Sequence, residues 1–309
     1  MNNSERIQLW KEAIDLAVGG LMNGAQLTEF ITTLKDKSGF MKKMRIDSGI
    51  VKSLDLDRLG IDTEILREKL EDTAIEDLAG VHRGVETLTP VKAMAMVKLT
   101  YDWLQKAIGG NVEITPEMKQ ALEAKVFDLF SKQWANDSLA LAFKGDKQSQ
   151  SKFYKIIDGI NKKAHLHAAT HKFPFDANMK YSSIFKGMLD KLPSEFQSDP
   201  AALSFIVSPK TRRAYKDELA ERNTALGDLM SVKNAPVFCE DILVEPLWVM
   251  PEGVILLTLP ENLAIGYGQQ MLVERDKDIF KQNISIVSSM DIDANFVIPD
   301  AIVIGELEQ

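Results

Sequence analysis

The sequence predicts an α+β fold, on three observations. A long amphipathic helix is written over 115–143 with its own start and stop signals. The last third alternates apolar and polar residues in short runs broken by prolines, the pattern of successive strands. Helical and strand patterns interleave irregularly rather than as repeating βα units, which points away from a parallel α/β sheet. The chain has 309 residues, 45% of them hydrophobic. Such a length suggests about two domains, or one elaborate one, and is ample for a sizeable core.

Residues 5–35 are predicted helical. Leu9, Trp10, Ile14, Leu16, Ala17 and Leu21 recur at helical spacing until Gly19, Gly20 and Gly24 interrupt them. A second short helix fits Leu27 to Leu34. These helices hold too few apolar positions to form a domain alone, so they are expected to lie against something else. Over 40–60 the period shifts toward two: Leu54 and Leu56 alternate with Asp55 and Asp57, which predicts a half-buried strand. The next run, "TEILREKLEDTAIEDLAG", is densely charged and reads as helical over 63–80. A second strand is predicted at 91–99, with Val91, Ala93, Ala95 and Val97 on one face. Two strands thus flank a long charged excursion. A hairpin of that length cannot bury itself and needs a neighbour to lie on.

The 115–143 helix carries the strongest signals. Thr115 can cap the orphan amides, Pro116 suits the first turn, and Glu117 complements the helix dipole. Met118, Leu122, Val126, Leu129, Phe130 and Trp134 form one apolar stripe, and Gly145 ends the run. At 1.5 Å per residue the helix spans roughly 40 Å. Beyond 150, a helix fits Tyr181–Leu192 and a buried strand fits "ALSFIVSP". Ser208 caps a further helix opened by Pro209. "APVFCEDILVEPLWVMPEGVILLTLPENLAIGYG" reads as short strands, and 269–309 alternates again. No internal repeat or low-complexity linker is evident.

Composition excludes several classes. The formal net charge is −8 and the pI about 5.2, which argues against general nucleic-acid affinity. The single cysteine, Cys239, sits in an apolar context and is expected to be a buried, inert thiol. The start "MNNSERIQLWKEAIDLAVGG" is not a signal peptide, and runs such as "GVILLTL" are far short of the about 20 residues a membrane helix needs. A soluble protein made in a reducing compartment is expected.

The most conspicuous chemistry is "AHLHAATH", where His165, His167 and His171 hold three of the four histidines. On a helix, His167 and His171 would share a face at the i, i+4 spacing used by zinc sites. No Glu follows His167 and no further ligand is evident nearby, whereas structural sites want four ligands and catalytic ones at least three. A metal-dependent enzyme built on these histidines is the alternative reading; a polar, partly exposed loop is the expectation. "GYGQQM" from Gly266 places Met271 where a third glycine should stand, so it reads as a turn between strands rather than a phosphate loop. No Gly-x-Ser-x-Gly elbow occurs. The acidic pairs Asp55/Asp57, Glu71/Asp72, Glu76/Asp77, Glu240/Asp241 and Asp291/Asp293 are what a chain with 45 acids offers by chance. The short basic runs Lys42-Lys43, Lys162-Lys163 and Arg212-Arg213 lack interleaved aromatics. No catalytic, cofactor-binding or metal-ligating residue is assigned, and no cofactor or enzymatic activity is expected. A chain of this size without a catalytic constellation leans toward a structural role.

The order of elements resembles the major capsid protein of tailed bacteriophages, the Hong Kong 97 fold. "LTPVKAMAMVKLTYDWLQKA" (88–107) looks like the return strand of the family's extended loop followed by a short helix. "TPEMKQALEAKVFDLFSKQWANDSLALAFKGD" (115–146) looks like its spine helix. "FIVSPKTRRAYKDEL" (205–219) is similar to a strand and helix of the axial domain. "VEPLWVMPEGVILLTLPENLAIGYGQQMLVERD" (244–276) resembles the family's closing strands. Each motif is degenerate; their shared order over most of 40–309 carries the resemblance.

The resemblance implies an N-terminal arm (1–44), an extended loop (45–98), a peripheral domain with the spine helix (99–160 and 266–309) and an axial domain (161–265). It implies self-assembly into hexamers and pentamers of an icosahedral phage head enclosing double-stranded DNA without sequence-specific binding. Assembly in the host cytoplasm, residence in the virion and a rigid-body expansion on packaging would follow. Expected partners are further copies, a portal protein and separate scaffolding or decoration proteins. No N-terminal scaffolding segment for removal is apparent. The helical look of 63–80 departs from the family's extended loop. Lys69 and Asn283 are candidates for the intersubunit crosslink some relatives form, with no motif that selects them. An encapsulin-like shell around a protein cargo is the alternative within the same fold.

Overall fold

The computed structural model describes residues 20–21, 24–61, 81–100, 116–221, 236–278 and 283–308. In chain order these form β1 (Gly20–Leu21), α1 (Gly24–Lys37), β2 (Arg45–Ile50), β3 (Leu54–Ile61), β4 (Val81–Leu88), β5 (Val91–Thr100) and α2 (Pro116–Lys144). Then come α3 (Ile160–Leu166), β6 (His171–Phe175), α4 (Tyr181–Lys191), β7 (Ser204–Val207), α5 (Pro209–Ala220) and β8 (Phe238–Cys239). The chain closes with β9 (Ile242–Pro246), β10 (Val254–Thr258), β11 (Leu263–Asp278), β12 (Asn283–Phe296) and β13 (Val303–Leu307). The expected helix over 5–18, the charged run 63–80 and the short helix after 100 lie outside the described residues.

Three sheets result. A five-stranded sheet runs β1-β11-β12-β5, with β2 joining the start of β11 in parallel. A six-stranded sheet runs β6-β13-β10-β7-β9-β8. The third is the two-stranded ribbon β3-β4, paired from Leu54↔Leu88 out to Ile61↔Val81. The first two are covered by helices. α1 and α2 pack on the five-stranded sheet through Phe30, Leu34, Trp134, Leu139 and Phe143 against Ile265, Tyr267, Met290 and Ile292. Phe30 meets the edge of Trp134 at a centroid distance of 6.4 Å. α4 and α5 cover the six-stranded sheet through Phe185, Met188 and Tyr215 against Phe205, Val244 and Ile255.

Local sequence accounts for the starts and stops. Ser208 caps α5 by accepting from the Thr211 N–H at 3.1 Å, with Pro209 in the first turn. Gly145 ends α2 for a packing reason. A Cβ there would lie 2.6 Å from the carbonyl oxygens of Leu141 and Ile157, because the chain passes back over the helix end. Gly159 donates to the Gly145 carbonyl at 2.8 Å and makes the same close approach from the other side. The loop between them is pinned by Lys162, which donates to Asp146 and, at 2.8 Å, to Asp158. The Lys162 ammonium holds the Asp146 carboxyl below the usual carboxylate range. Burial pushes the other way at Asp158, but Lys162 and the Lys147 N–H outweigh it and lower that carboxyl as well.

Three expectations need correction. The strand 91–99 does not return the hairpin; Val81–Leu88 does, and β5 pairs with β12 instead. Its predicted alternation holds, since Ala93 is buried while Met94 and Met96 stand out, but Val91 is exposed. Leu129, assigned to the apolar stripe of the long helix, is 53% exposed. "GYGQQM" is no turn: it lies inside β11, at a bulge between Tyr267 and Met271. Gly266 is there because Ile50 and Leu88 press against it, at 2.8 and 3.0 Å from where a Cβ would be. β13 crosses to pair with β6 and β10, because Val303 and Ile304 are apolar on both faces and need a central position in a covered sheet.

Candidate assembly interface

The β3-β4 ribbon pairs with no third strand among the described residues. Its root is buried: Leu56 and Leu88 are fully enclosed with Ile50 and Ala264, while Asp57, Arg83, Gly84 and Val85 are exposed. Two strands without a covered face are marginal in water. The ribbon therefore depends on its anchorage.

That anchorage centres on Asp293, which is 3% exposed. One carboxylate oxygen accepts the Thr89 N–H at 2.8 Å, where the ribbon ends. The other accepts from Lys163 at 3.2 Å, and Lys163 also donates to the Ala294 carbonyl at 2.6 Å. Asn295 donates to the Thr87 carbonyl at 3.0 Å. His167 lies with Nε2 3.0 Å from Glu86, and its Nδ1 accepts the Ala169 N–H, so Nε2 carries the proton that meets the carboxylate. Further along the ribbon, Arg58 donates to Asp300 at 3.2 Å.

Exposed apolar side chains supply the other half of an interface. Met94 and Met96 are 66% and 65% exposed on the edge strand β5. By alternation they share a face with Lys92 and Lys98, which guard the edge against unplanned strand pairing. On the opposite side of β5, Ala93 and Ala95 line a groove of about 380 Å³ with Leu129, Phe130, Phe153 and Ile156. Asp137 sits in its wall; burial raises its carboxyl above the ordinary range, partly offset by the Gln133 amide donating to it at 2.7 Å. Trp248 is 55% exposed in the turn after β9. Large exposed apolar groups of this kind mark contact surfaces.

The structure does not bring the three histidines together as a ligand set. His165 pairs through Nδ1 with Glu306 at 2.7 Å, His167 is engaged with Glu86, and His171 lies in β6 beside Val303. Among the described residues no group of three or more His, Cys, Asp or Glu is placed to hold a metal ion. The expected single loop is also corrected. Residues 160–166 are helical and 171–175 a strand, so the histidines fall on three different local structures. Cys239 is buried, and Glu240 and Asp241 beside it form the tight β8-β9 turn with φ of 47° and 63°. Lysine Lys186 holds the Glu240 carboxyl below its usual range. Asn283 opens β12, and Lys69 lies outside the described residues.

Reading the sequence missed Asp293, Asn295, Lys163, Glu86 and Arg58. Alternation puts Asp293 and Asn295 on the face of β12 opposite Ile292 and Ala294, where polar residues are normally solvated. The signal available was their pairing in "MDIDANF"; their burial comes from a ribbon root more than 200 residues earlier.

No protein-family model matches the chain. A curated relative from Bacillus subtilis (strain 168), named "Putative prophage capsid protein YqbE", is 26% identical over 318 residues, covering 98% of this chain and 97% of the relative. Among solved structures, a chain of the satellite phage P4 procapsid including size determination (Sid) protein aligns with a TM-score of 0.66 at 13% identity. It covers 92% of this chain and all of that one. A chain from the capsid of an empty GTA particle gives 0.57 at 15% identity, over 88% of this chain and 90% of its own. The structure of Gordonia phage Cozz gives 0.54 at 10% identity, over 87% and 86%. The chain has the Hong Kong 97-type fold of these capsid chains, and in sequence it is similar over 98% of its length to the relative named "Putative prophage capsid protein YqbE".

Proposed function

We propose that this chain is the major capsid protein of a tailed phage or prophage, assembling into hexamers and pentamers of an icosahedral head around double-stranded DNA. The observation that carries the reading is the β3-β4 ribbon, anchored at its root, paired with no third strand among the described residues and exposed at Asp57, Arg83, Gly84 and Val85, in a chain of capsid fold. A second copy would supply the surface that the ribbon lacks. Met94, Met96 and Trp248 offer further contact area, and many modest contacts per subunit sum to a stable shell. The net charge of −8 suits a wall that encloses DNA without gripping it. The chain acts by assembly rather than catalysis, in the host cytoplasm first and then in the virion. Portal, scaffolding and decoration proteins are its partners.

The division into arm (1–44), extended loop (45–98), peripheral domain (99–160 and 266–309) and axial domain (161–265) belongs to the same reading. The test is negative-stain electron microscopy of the expressed chain beside a sizing column. Closed shells or rings of five and six are expected, and particles recovered from host cells should hold DNA rather than a protein cargo. A chain that stays monomeric or dimeric across salt and pH, alone and with a scaffolding protein co-expressed, overturns the reading.

A further inference from the structure

The ribbon is fastened to its own subunit at two levels, one on a strand of the five-stranded sheet and one on 3₁₀ turns outside the sheets. Its root is held by Asp293 and Asn295, both on β12 of the five-stranded sheet. Arg58 makes the second attachment. Its guanidinium donates to Asp300 at 3.2 Å, approaches Glu195 at 4.0 Å and lies 5.7 Å from the centre of the Phe196 ring. Those partners sit in the 3₁₀ turns 194–197 and 299–301, which lead toward β7 and β13 of the six-stranded sheet. Gly84 pairs directly across from Arg58, so the opposite strand puts no side chain beside it.

A strip fixed at one point can swing; a strip fixed at two separated points has a set direction. We infer that Arg58 is a positioning residue: it sets the angle at which the ribbon leaves the subunit, and through that angle the curvature and diameter of the shell. This rests on the assembly reading above. The root contacts are buried, whereas Arg58, Asp300 and Glu195 are 31%, 46% and 54% exposed. The strut is thus the adjustable attachment, and the root the permanent one. A ribbon held at its working angle before contact loses less freedom when a neighbour arrives.

The experiment compares the full chain with Arg58→Ala, Arg58→Lys and the double variant Asp300→Asn/Glu195→Gln. Hydrogen exchange in 54–61 and 81–88 is read on the unassembled subunit, and shell diameters are read by electron microscopy. Loss of exposed ion pairs and a cation–π contact should raise ribbon exchange by about threefold to tenfold. Shell diameters should spread, with subunit melting unchanged. Lysine keeps the charge but not the planar fork, so Arg58→Lys should fall between Arg58→Ala and the parent. The double variant keeps the Phe196 contact and should fall between Arg58→Ala and the parent. Unchanged exchange in Arg58→Ala overturns the strut, as does an unchanged diameter distribution. Shells altered by Arg58→Ala but not by the double variant overturn it too, because Arg58 would then act on another group. If the parent chain forms no shells, alone or with a scaffolding protein co-expressed, the assembly reading has failed, while exchange on the free subunit still reports whether the strut exists.

Discussion

Asp293→Asn probes the ribbon's root. The carboxylate is 3% exposed and accepts two hydrogen bonds, from the Thr89 N–H at 2.8 Å and from Lys163 at 3.2 Å. A bond to a charged group contributes about 1.5–3 kcal/mol, and breaking a fully buried ion pair costs about 3–5 kcal/mol. The lower figure applies. Lys163 keeps its bond to the Ala294 carbonyl, and its side chain is 25% exposed, so its charge can turn to water. The asparagine carbonyl can still accept from Thr89. The expected loss is about 2 kcal/mol, felt locally as roughly a thirtyfold faster opening of the Thr89 amide. Hydrogen exchange at that amide is the assay, with guanidinium unfolding of the free subunit beside it. Exchange at Thr89 within twofold of the parent, with an unchanged unfolding midpoint, would refute the assignment of Asp293 as the root anchor.

Further expectations follow from the same geometry. Gly145→Ala forces a Cβ to within 2.6 Å of two backbone oxygens and should destabilise at the upper end of about 1–3 kcal/mol, measured by chemical denaturation. Lys162→Met removes the cation that lowers the Asp146 and Asp158 carboxyls. Carboxyls held below their unfolded pKa stabilise above that pKa, so the gap between parent and variant should be constant at neutral pH. It should shrink as pH falls below about 4, followed by melting at each pH. Met94→Ser/Met96→Ser should leave subunit stability within about 0.5 kcal/mol, since both side chains are already in water, yet raise the concentration at which shells form by light scattering. Trp248→Ala should behave alike if its exposed ring seats in a neighbour, and an unchanged assembly threshold would remove it from the interface.

Local chemistry made much of the fold legible in advance. Pro116 and the stripe through Phe130 and Trp134 wrote the long helix, and Ser208-Pro209 wrote the start of α5. The unbroken apolar run "FIV" within "ALSFIVSP" wrote a strand, Ser204–Val207, that is buried at every position. Each of these is settled within a few residues by propensity, capping or periodicity. The histidines were legible only as residues. Whether they meet depends on α3 and β6, and the structure sends them to Glu306, Glu86 and the six-stranded sheet.

By itself, the sequence determined the long helix, the start of α5, the buried strand Ser204–Val207 and the shared order that points to a capsid fold. Only the tertiary structure decided which strand closes the ribbon, that the last strand crosses to the other sheet, and that Asp293 and Arg58 hold the ribbon at two separated points. The physical reason is range. Caps and periodicities act within one or two turns of chain. The pairings Asp293–Thr89 and Arg58–Asp300 join residues 204 and 242 positions apart, and no local pattern encodes them.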